Sequence, residues 1–222
     1  MSQPVIEFHR VNKSYRRGEQ EVPVLRDFNL SIPPTQFLAI MGPSGSGKTT
    51  ILNLIAGLDR PSQGVIHAAG LTVSEQRETE LARWRARHIG FVFQFYNLIP
   101  VLTAAENVEL PLLLSTLTKR ERAKHVQAAL GLVGLSDRAH HYPRQLSGGQ
   151  EQRVGIARAI VSDPTILLAD EPTGNLDRDA ADAVMGLLTR LHRDLKKTIL
   201  MVTHDPRAAE HAHSILQLDK SR

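Results

Sequence analysis

Short apolar runs alternate with stretches of helical spacing along most of the chain. That order predicts a parallel sheet covered by helices. Residues 5–11 and 22–32 alternate apolar and polar positions as strands do, and the polar turn at 16–20 predicts that they pair antiparallel. Phe37–Met41 is an apolar run ending in a glycine-rich turn. Residues 48–58 then take helical spacing until Asp59-Arg60-Pro61 stops them. Residues 65–69 read as a strand, 75–87 as an exposed helix and 89–93 as a buried strand. The middle changes character: 103–114, 119–133 and 150–161 read as helices, with an ordered loop at 96–103 around Pro100. Alternation returns with 166–169, 180–195, Thr198–Val202, 206–211 and 215–218. The expected fold is an α/β core bracketing a helical insertion near residues 95–160. No internal repeat or low-complexity segment interrupts it.

Composition narrows the class. The 222 residues are 41% hydrophobic, which suits one sizeable domain. No apolar run reaches the roughly 18–20 residues of a membrane helix, and Met1-Ser2-Gln3-Pro4 does not open a secretory signal. There are no cysteines, so disulfides and thiolate metal sites are excluded, and a cytoplasmic protein is expected. The net charge of +4 is mild. The densest basic stretches, 77–87 and 119–124, are interleaved with Glu78, Glu80 and Glu121, as on a solvated helix face. With 5% aromatic residues and no concentrated basic stripe, nucleic acid is not an expected partner.

Gly42-Pro43-Ser44-Gly45-Ser46-Gly47-Lys48-Thr49 matches the phosphate-binding loop G-x-x-x-x-G-K-[ST], between an apolar strand and a helix. The glycines let backbone N–H groups converge on phosphate oxygens, and the helix adds its positive end. Lys48 would reach the β- and γ-phosphates, and the Thr49 hydroxyl would ligate Mg²⁺. Thr50 closes the loop on the helix side. This motif alone says nucleotide hydrolase and does not choose among kinases, GTPases, helicases and transport ATPases.

Residues 166–169 lead into Asp170-Glu171. A carboxylate at a strand tip beside such a loop holds Mg²⁺ through its water shell, which suits Asp170. Glu171, where the chain leaves the sheet, is placed to polarise an attacking water. His204 follows the strand Thr198–Val202 and could hydrogen-bond the γ-phosphate and hold the base.

Leu146-Ser147-Gly148-Gly149-Gln150 makes a second anion-binding helix start, with Ser147 as N-cap and two glycines exposing backbone N–H groups. One protomer has no use for two γ-phosphate cradles. A two-fold dimer does, since each cradle closes on the ATP of the other copy.

With these residues in order, the chain resembles the ABC ATPases over essentially its whole length. The resemblance implies a P-loop NTPase (RecA-like) core at 1–94 and 161–222. To this it adds an N-terminal antiparallel β subdomain and an inserted ABC α-helical subdomain at 95–160. It implies that Tyr15 stacks on adenine, that Gln94 in the joining loop meets Mg²⁺ or the attacking water, and that Asp177 of Asn175-Leu176-Asp177 lies in the loop facing the opposite subunit. It makes His204 the switch histidine. The stretches from Phe93 to Pro100 and from Ala169 to Asp177 are similar to the lipoprotein-release and macrolide-export (LolD-like, MacB-like) ATPases. That group implies a homodimer driving an integral-membrane permease. The cassette is then expected peripherally, on the inner face of the cell membrane. The apolar loop and cap at 95–106, with Phe95, Tyr96, Leu98, Ile99, Val101, Leu102 and the rim residue Glu106, is the expected docking segment. Alternatives are a division-type ATPase signalling through its permease and a soluble ABC ATPase. Glu151 stands where the subgroup often has glutamine, and Asp219-Lys220 where Asp-Gly is common. No C-terminal regulatory domain is expected.

Overall fold

A computed structural model describes residues 3–18 and 20–219. Met1 and Ser2 of the N-terminal reading, Glu19 of the turn at 16–20, and Lys220 lie outside the described residues.

Two sheets organise the chain. The first is antiparallel and contains β1 (Ile6–Arg17), β2 (Gln20–Ile32), β4 (Gln63–Ala68) and β5 (Leu71–Thr72), in the order β2-β1-β4-β5. β1 and β2 pair as expected, with Ile6 opposite Ile32 and Tyr15 opposite Val22, but the ladder runs on past Val11 through three register shifts. The second sheet is parallel and contains β3 (Phe37–Met41), β6 (Ile89–Val92), β7 (Ile166–Asp170), β8 (Thr198–Val202) and β9 (Ser214–Gln217), in the order β6-β7-β8-β3-β9.

The central strands are apolar without a break because both faces are covered. Phe37, Ala39, Leu167, Ala169, Ile199 and Met201 belong to one apolar cluster. The alternate residues Leu38, Ile40, Ile166, Leu168, Leu200 and Val202 belong to the other. The first cluster is completed by the helices α3 (Ala104–Glu109), α4 (Lys119–Leu132), α5 (Gly148–Ile160) and α6 (Arg178–Leu195). The second is completed by α1 (Lys48–Ile55), α2 (Glu78–His88) and the inner face of the antiparallel sheet. A short α7 (Pro206–Ala209) precedes β9.

The structure corrects the sequence reading in places. The stretch 103–114 is not one helix: Pro111, which has no N–H to donate, falls in a 3₁₀ segment, Leu110–Leu114, that takes over after Glu109. The helix after Ser147 begins at Gly148 and not at Gln150, because the serine caps it directly. Glu106, the expected rim residue, is exposed and has a second task. Its carboxylate accepts from the backbone N–H and the hydroxyl of Thr103, closing a capping box on α3. Leu98 and Leu102 are half-buried, and Leu98 packs on the first cluster.

The loop before α3 is held from inside. Asn107 is fully buried; its Oδ1 accepts from the N–H of Ile99 at 2.7 Å, and its Nδ2 donates to the carbonyls of Ile99, Leu102 and Thr103 at 3.0–3.1 Å. One amide thus substitutes for the secondary structure the loop lacks. Asn107→Leu keeps the volume and strands an N–H and several carbonyls. It is expected to cost about 3 kcal/mol, a fall of roughly 6–12 °C in a chain of this size. A thermal melt within about 2 °C of wild type would show that the amide is dispensable.

Candidate functional site

The parallel register lines up three strand tips. Ile40 pairs with Val202, and Asp170 pairs with Val202 from the other side, so β3, β7 and β8 end level. The chain leaving β8, β7 and β9 is then hooked to a neighbouring tip: Thr203 N–H donates to Ile40, Glu171 N–H to Val202 and Leu218 N–H to Met41. Ligands of open parallel sheets bind at such carboxyl ends.

The phosphate loop follows β3. Gly47 is the N-cap of α1 at φ 94° and offers no side-chain cap, and the first turn of α1 holds no acid. The first N–H groups of α1 are therefore left for an anion. Gly42 is needed for space: a Cβ there would lie 2.4 Å from the carbonyl oxygen of Leu218. The Lys48 ammonium donates to the carbonyls of Gly42 and Pro43 at 2.8 and 3.0 Å, bracing the loop across its mouth. Ser46 is buried beneath the loop, and its Oγ has no partner within the chain.

Above this loop opens a cleft of about 740 Å³. Tyr15, Gly42, Pro43, Ser44, Gly45, Gly47, Lys48, Thr49, Thr50, Gln94, Asp170, Glu171 and His204 all line it. The sequence thus found residues from five separate segments that the fold brings to one place.

Asp170 accepts from the Thr49 hydroxyl at 3.3 Å. Glu171 sits at φ 47°, an uncommon conformation for a residue with a side chain, and its carboxylate is 2.9 Å from His204 Nδ1. The second oxygen of Glu171 accepts from the His204 N–H at 3.4 Å. Tyr15 is anchored by its hydroxyl, which donates to Asp59 at 2.7 Å, and Lys13 lies 4.6 Å from its ring centroid while also binding Asp59. The sequence reading gives Asp59 only as part of a helix stop and does not name Lys13.

Ser147, Gly148, Gly149, Gln150 and Asp177 do not line this cleft. Ser147 is exposed; it and Gln150 close a reciprocal capping box at the start of α5. Asp177 caps α6 by accepting from Ala180 N–H at 2.9 Å. The phosphate loop and the second helix start are therefore separate on one chain.

The ABC transporter family model matches residues 25–174. The chain belongs to the ABC transporter family. The lipoprotein-releasing system ATP-binding protein LolD of Hahella chejuensis is 47% identical over 209 residues, covering 94% of this chain and 90% of that protein. The macrolide export ATP-binding/permease protein MacB 2 of Aeromonas hydrophila is 46% identical over 222 residues, covering all of this chain and 34% of that protein. A solved dimeric, post-hydrolysis state of the ATP-binding cassette MJ0796, bound to ADP and Pi, superposes with a TM-score of 0.89 at 42% identity, over 98% of this chain and 97% of that one. This ABC cassette is an ATP-binding domain and an ATPase, and the fold expected from the sequence is the one observed.

The cleft suits the triphosphate of ATP by its unpaired N–H groups and its ammonium, whereas Ser46, expected among the phosphate ligands, is buried and does not line it. It suits a hard cation by the oxygens of Thr49, Asp170 and Gln94. Among the described residues no three His, Cys, Asp or Glu side chains cluster as a cage. Mg²⁺ would thus depend on phosphate and water for most of its shell.

Burial raises the Asp170 carboxyl above its ordinary value; Thr49 pulls it down, Glu171 pushes it up again and Lys48 opposes. The folded state then holds this proton more tightly than the unfolded chain. Its contribution to stability is fullest below the ordinary Asp range and is lost as pH rises through the raised folded value. At neutral pH the nucleotide-free Asp170→Asn protein, whose Oδ1 still accepts from Thr49, is expected to melt a few degrees above wild type. The gap should close toward about pH 4. Melting curves across that range check this, and a variant melting lower at neutral pH would contradict it.

Proposed function

We propose that the cassette is an ATP-driven clamp that does mechanical work on a membrane permease. One observation carries the reading: the phosphate loop at Lys48 lines a cleft that Ser147, Gly148, Gly149 and Gln150 do not line, which favours a site completed by a second copy. The dimeric state of the cassette MJ0796 supports completion by a second copy.

In this reading adenine rests on Tyr15, and the phosphates lie in the loop from Gly42 to Thr50. Mg²⁺, held by Thr49, Gln94 and, through water, Asp170, would neutralise charge on the β- and γ-phosphates. Two copies meet head to tail. Ser147, Gly148, Gly149 and Gln150 of one close on the γ-phosphate held by the other, with Asp177 at the seam. Glu171 takes the proton of the attacking water, and His204 orients Glu171 and contacts the γ-phosphate. Loss of the γ-phosphate opens the clamp. Most of the rate gain comes from positioning and charge stabilisation.

Residues 95–160 form the arm that moves against the core at 1–94 and 161–222. The partner is a permease helix seated on the loop that opens the arm. Phe95 is 70% exposed, Ile99 40% and Val101 76%, on a loop that Asn107 holds in one shape. Exposed apolar side chains on a pinned loop are suitable anchors for a helix. The full-length match to part of MacB, named as an ATP-binding/permease protein, supports a permease partner. No helix of the described residues is long and apolar enough to cross a membrane, so that partner would hold the cassette at the inner membrane face.

Glu171→Gln removes the proton acceptor and keeps the shape. Hydrolysis is expected to fall about 10²–10⁴-fold while an ATP-bound dimer accumulates, visible by light scattering. Near-normal turnover would remove Glu171 from the role. Ser147→Arg should be inactive, and mixing it with Lys48→Ala should restore activity, because each mixed dimer contains one intact composite site. Hydrolysis by a verified monomer would overturn the dimer reading.

Phe95→Ala and Val101→Ala should keep the melting temperature and basal ATPase activity but lose co-purification with the permease. Leu98→Ala, by contrast, removes core contacts and is expected to cost about 2 kcal/mol. If Phe95→Ala and Val101→Ala still bind and respond to the permease, the docking site lies elsewhere.

A further inference from the structure

We propose that Gln152 is a positioning residue that ties α5 to both catalytic loops of its own protomer, so that a displacement of the helix at Ser147 moves Gln94 and Glu171 together. The inference rests on the reading that the start of α5 takes the γ-phosphate of the partner copy.

Gln152 lies on the second turn of α5 and is completely buried. Its Nε2 donates to the carbonyl of Phe93 at 3.2 Å and to the carbonyl of Pro172 at 2.6 Å. Phe93 precedes Gln94, and Pro172 follows Glu171. Both hydrogens of one amide are thus given to two different loops, each next to a residue that faces the cleft. The orientation of the amide is set by chemistry: both neighbours are acceptors, so the nitrogen must face them. The other atom of the amide, Oε1, is buried with no partner. A stranded acceptor costs about 1–3 kcal/mol, and an apolar side chain of equal length would not carry that cost. The amide is therefore poorly suited to core packing and well suited to holding two carbonyls.

Other contacts make the linkage stiff. Two turns along α5, Arg158 donates to the carbonyls of Asn97 and Tyr96 at 2.6 and 2.7 Å. Asn175 donates to the carbonyl of Gln94 at 3.1 Å, joining the two loops directly. Tyr96 and Asn97 both have positive φ, so the turn after Gln94 is held in a conformation it would not keep unaided. A helix that is engaged by phosphate at one end and grips both loops along its side passes the state of one nucleotide site to the other.

Gln152→Met keeps the size and donates nothing. Gln152→Glu keeps the size and, when ionised, sets an acceptor against two carbonyls. For both, the affinity of the isolated protomer for a fluorescent ATP analogue should stay within about two-fold of wild type, while kcat falls about 10–100-fold at nearly constant KM. Burial raises a carboxyl, so Gln152→Glu should regain part of its activity relative to wild type between about pH 8 and pH 6, once the protonated acid can donate to one of the two carbonyls. A purely structural role predicts lower melting temperatures with unchanged turnover per folded molecule and no recovery in acid. Turnover within about two-fold of wild type in both variants would overturn the proposal, as would a matching loss of nucleotide affinity. Hydrogen exchange on the Glu171→Gln protein needs no change at 152: ATP should slow exchange at 147–152 together with 93–97 and 170–175. Protection confined to 147–152 would overturn the linkage. Ser147→Arg separates the two readings. If it hydrolyses ATP while Gln152→Met does not, the trans cradle fails and Gln152 keeps a positioning role within its own protomer, without the link to a partner site. If it is dead while Gln152→Met is normal, the reverse holds.

Discussion

Parallel pairing of β3, β7 and β8 sets where every reacting group begins. Because the three strands end level, the phosphate loop, Asp170-Glu171 and His204 leave the sheet at one edge, within a hydrogen bond of one another's strand tips. A slip of one residue in β7 would exchange the two faces of the strand and carry Asp170 and Glu171 away from Thr49 and His204. That register is enforced by burial on both faces, since any slip would also misplace Leu167 and Leu168 between the two apolar clusters. The chemistry is therefore aligned by packing well below it.

The costs of the fold gather at the same edge. Glu171 holds a left-handed backbone, Asp170 is a carboxylate taken partly out of water, and Ser46 keeps a hydroxyl without a partner. Each is unfavourable for an isolated cassette, and a cation beside Asp170 would offset the cost of its ionised form. Such groups persist only when the surroundings over-determine them. Here the surroundings are two apolar clusters and a phosphate loop braced by its own lysine.

The legible parts were those whose chemistry depends on a few residues at fixed spacing. The phosphate loop, the acids at 170–171 and the helix start at Ser147 carry their geometry in the local chain, and the apolar strands announce a doubly covered sheet. Asn107, Gln152 and Arg158 were not legible. Their partners lie in loops of no regular structure, and nothing in the chain predicts which carbonyl a buried amide will meet. Asp59 and Lys13 share this fate, since the carboxylate that holds both Tyr15 and Lys13 of β1 comes from a turn more than forty residues away in sequence. Glu106 was a different case. Thr103-x-x-Glu106 ahead of a helix is a capping-box pattern, and it would have assigned the carboxylate to α3 before any docking role was considered. Pro111 likewise marked the break in the helix at 103–114.

The stretch from Gln94 to Asn107 joins two kinds of order that seldom meet in one loop. At its start, Gln94 faces the nucleotide cleft and its carbonyl is held by Asn175; at its end, Asn107 fastens the chain to α3. Between them Phe95 and Val101 stay largely exposed, although burying either in the cassette's own core would yield hydrophobic free energy. A mobile loop would fold such side chains inward at little cost. This one is prevented, because Arg158 holds the carbonyls of Tyr96 and Asn97 while Asn107 holds those of Ile99, Leu102 and Thr103. Polar groups inside the protein thus keep apolar groups outside it. The same polar groups connect that exposed surface, over a few residues, to Gln94 in the lining of the nucleotide cleft. Rigidity is what makes such a surface useful, since a displacement at Gln94 is passed to Phe95 and Val101 only if the chain between them does not yield.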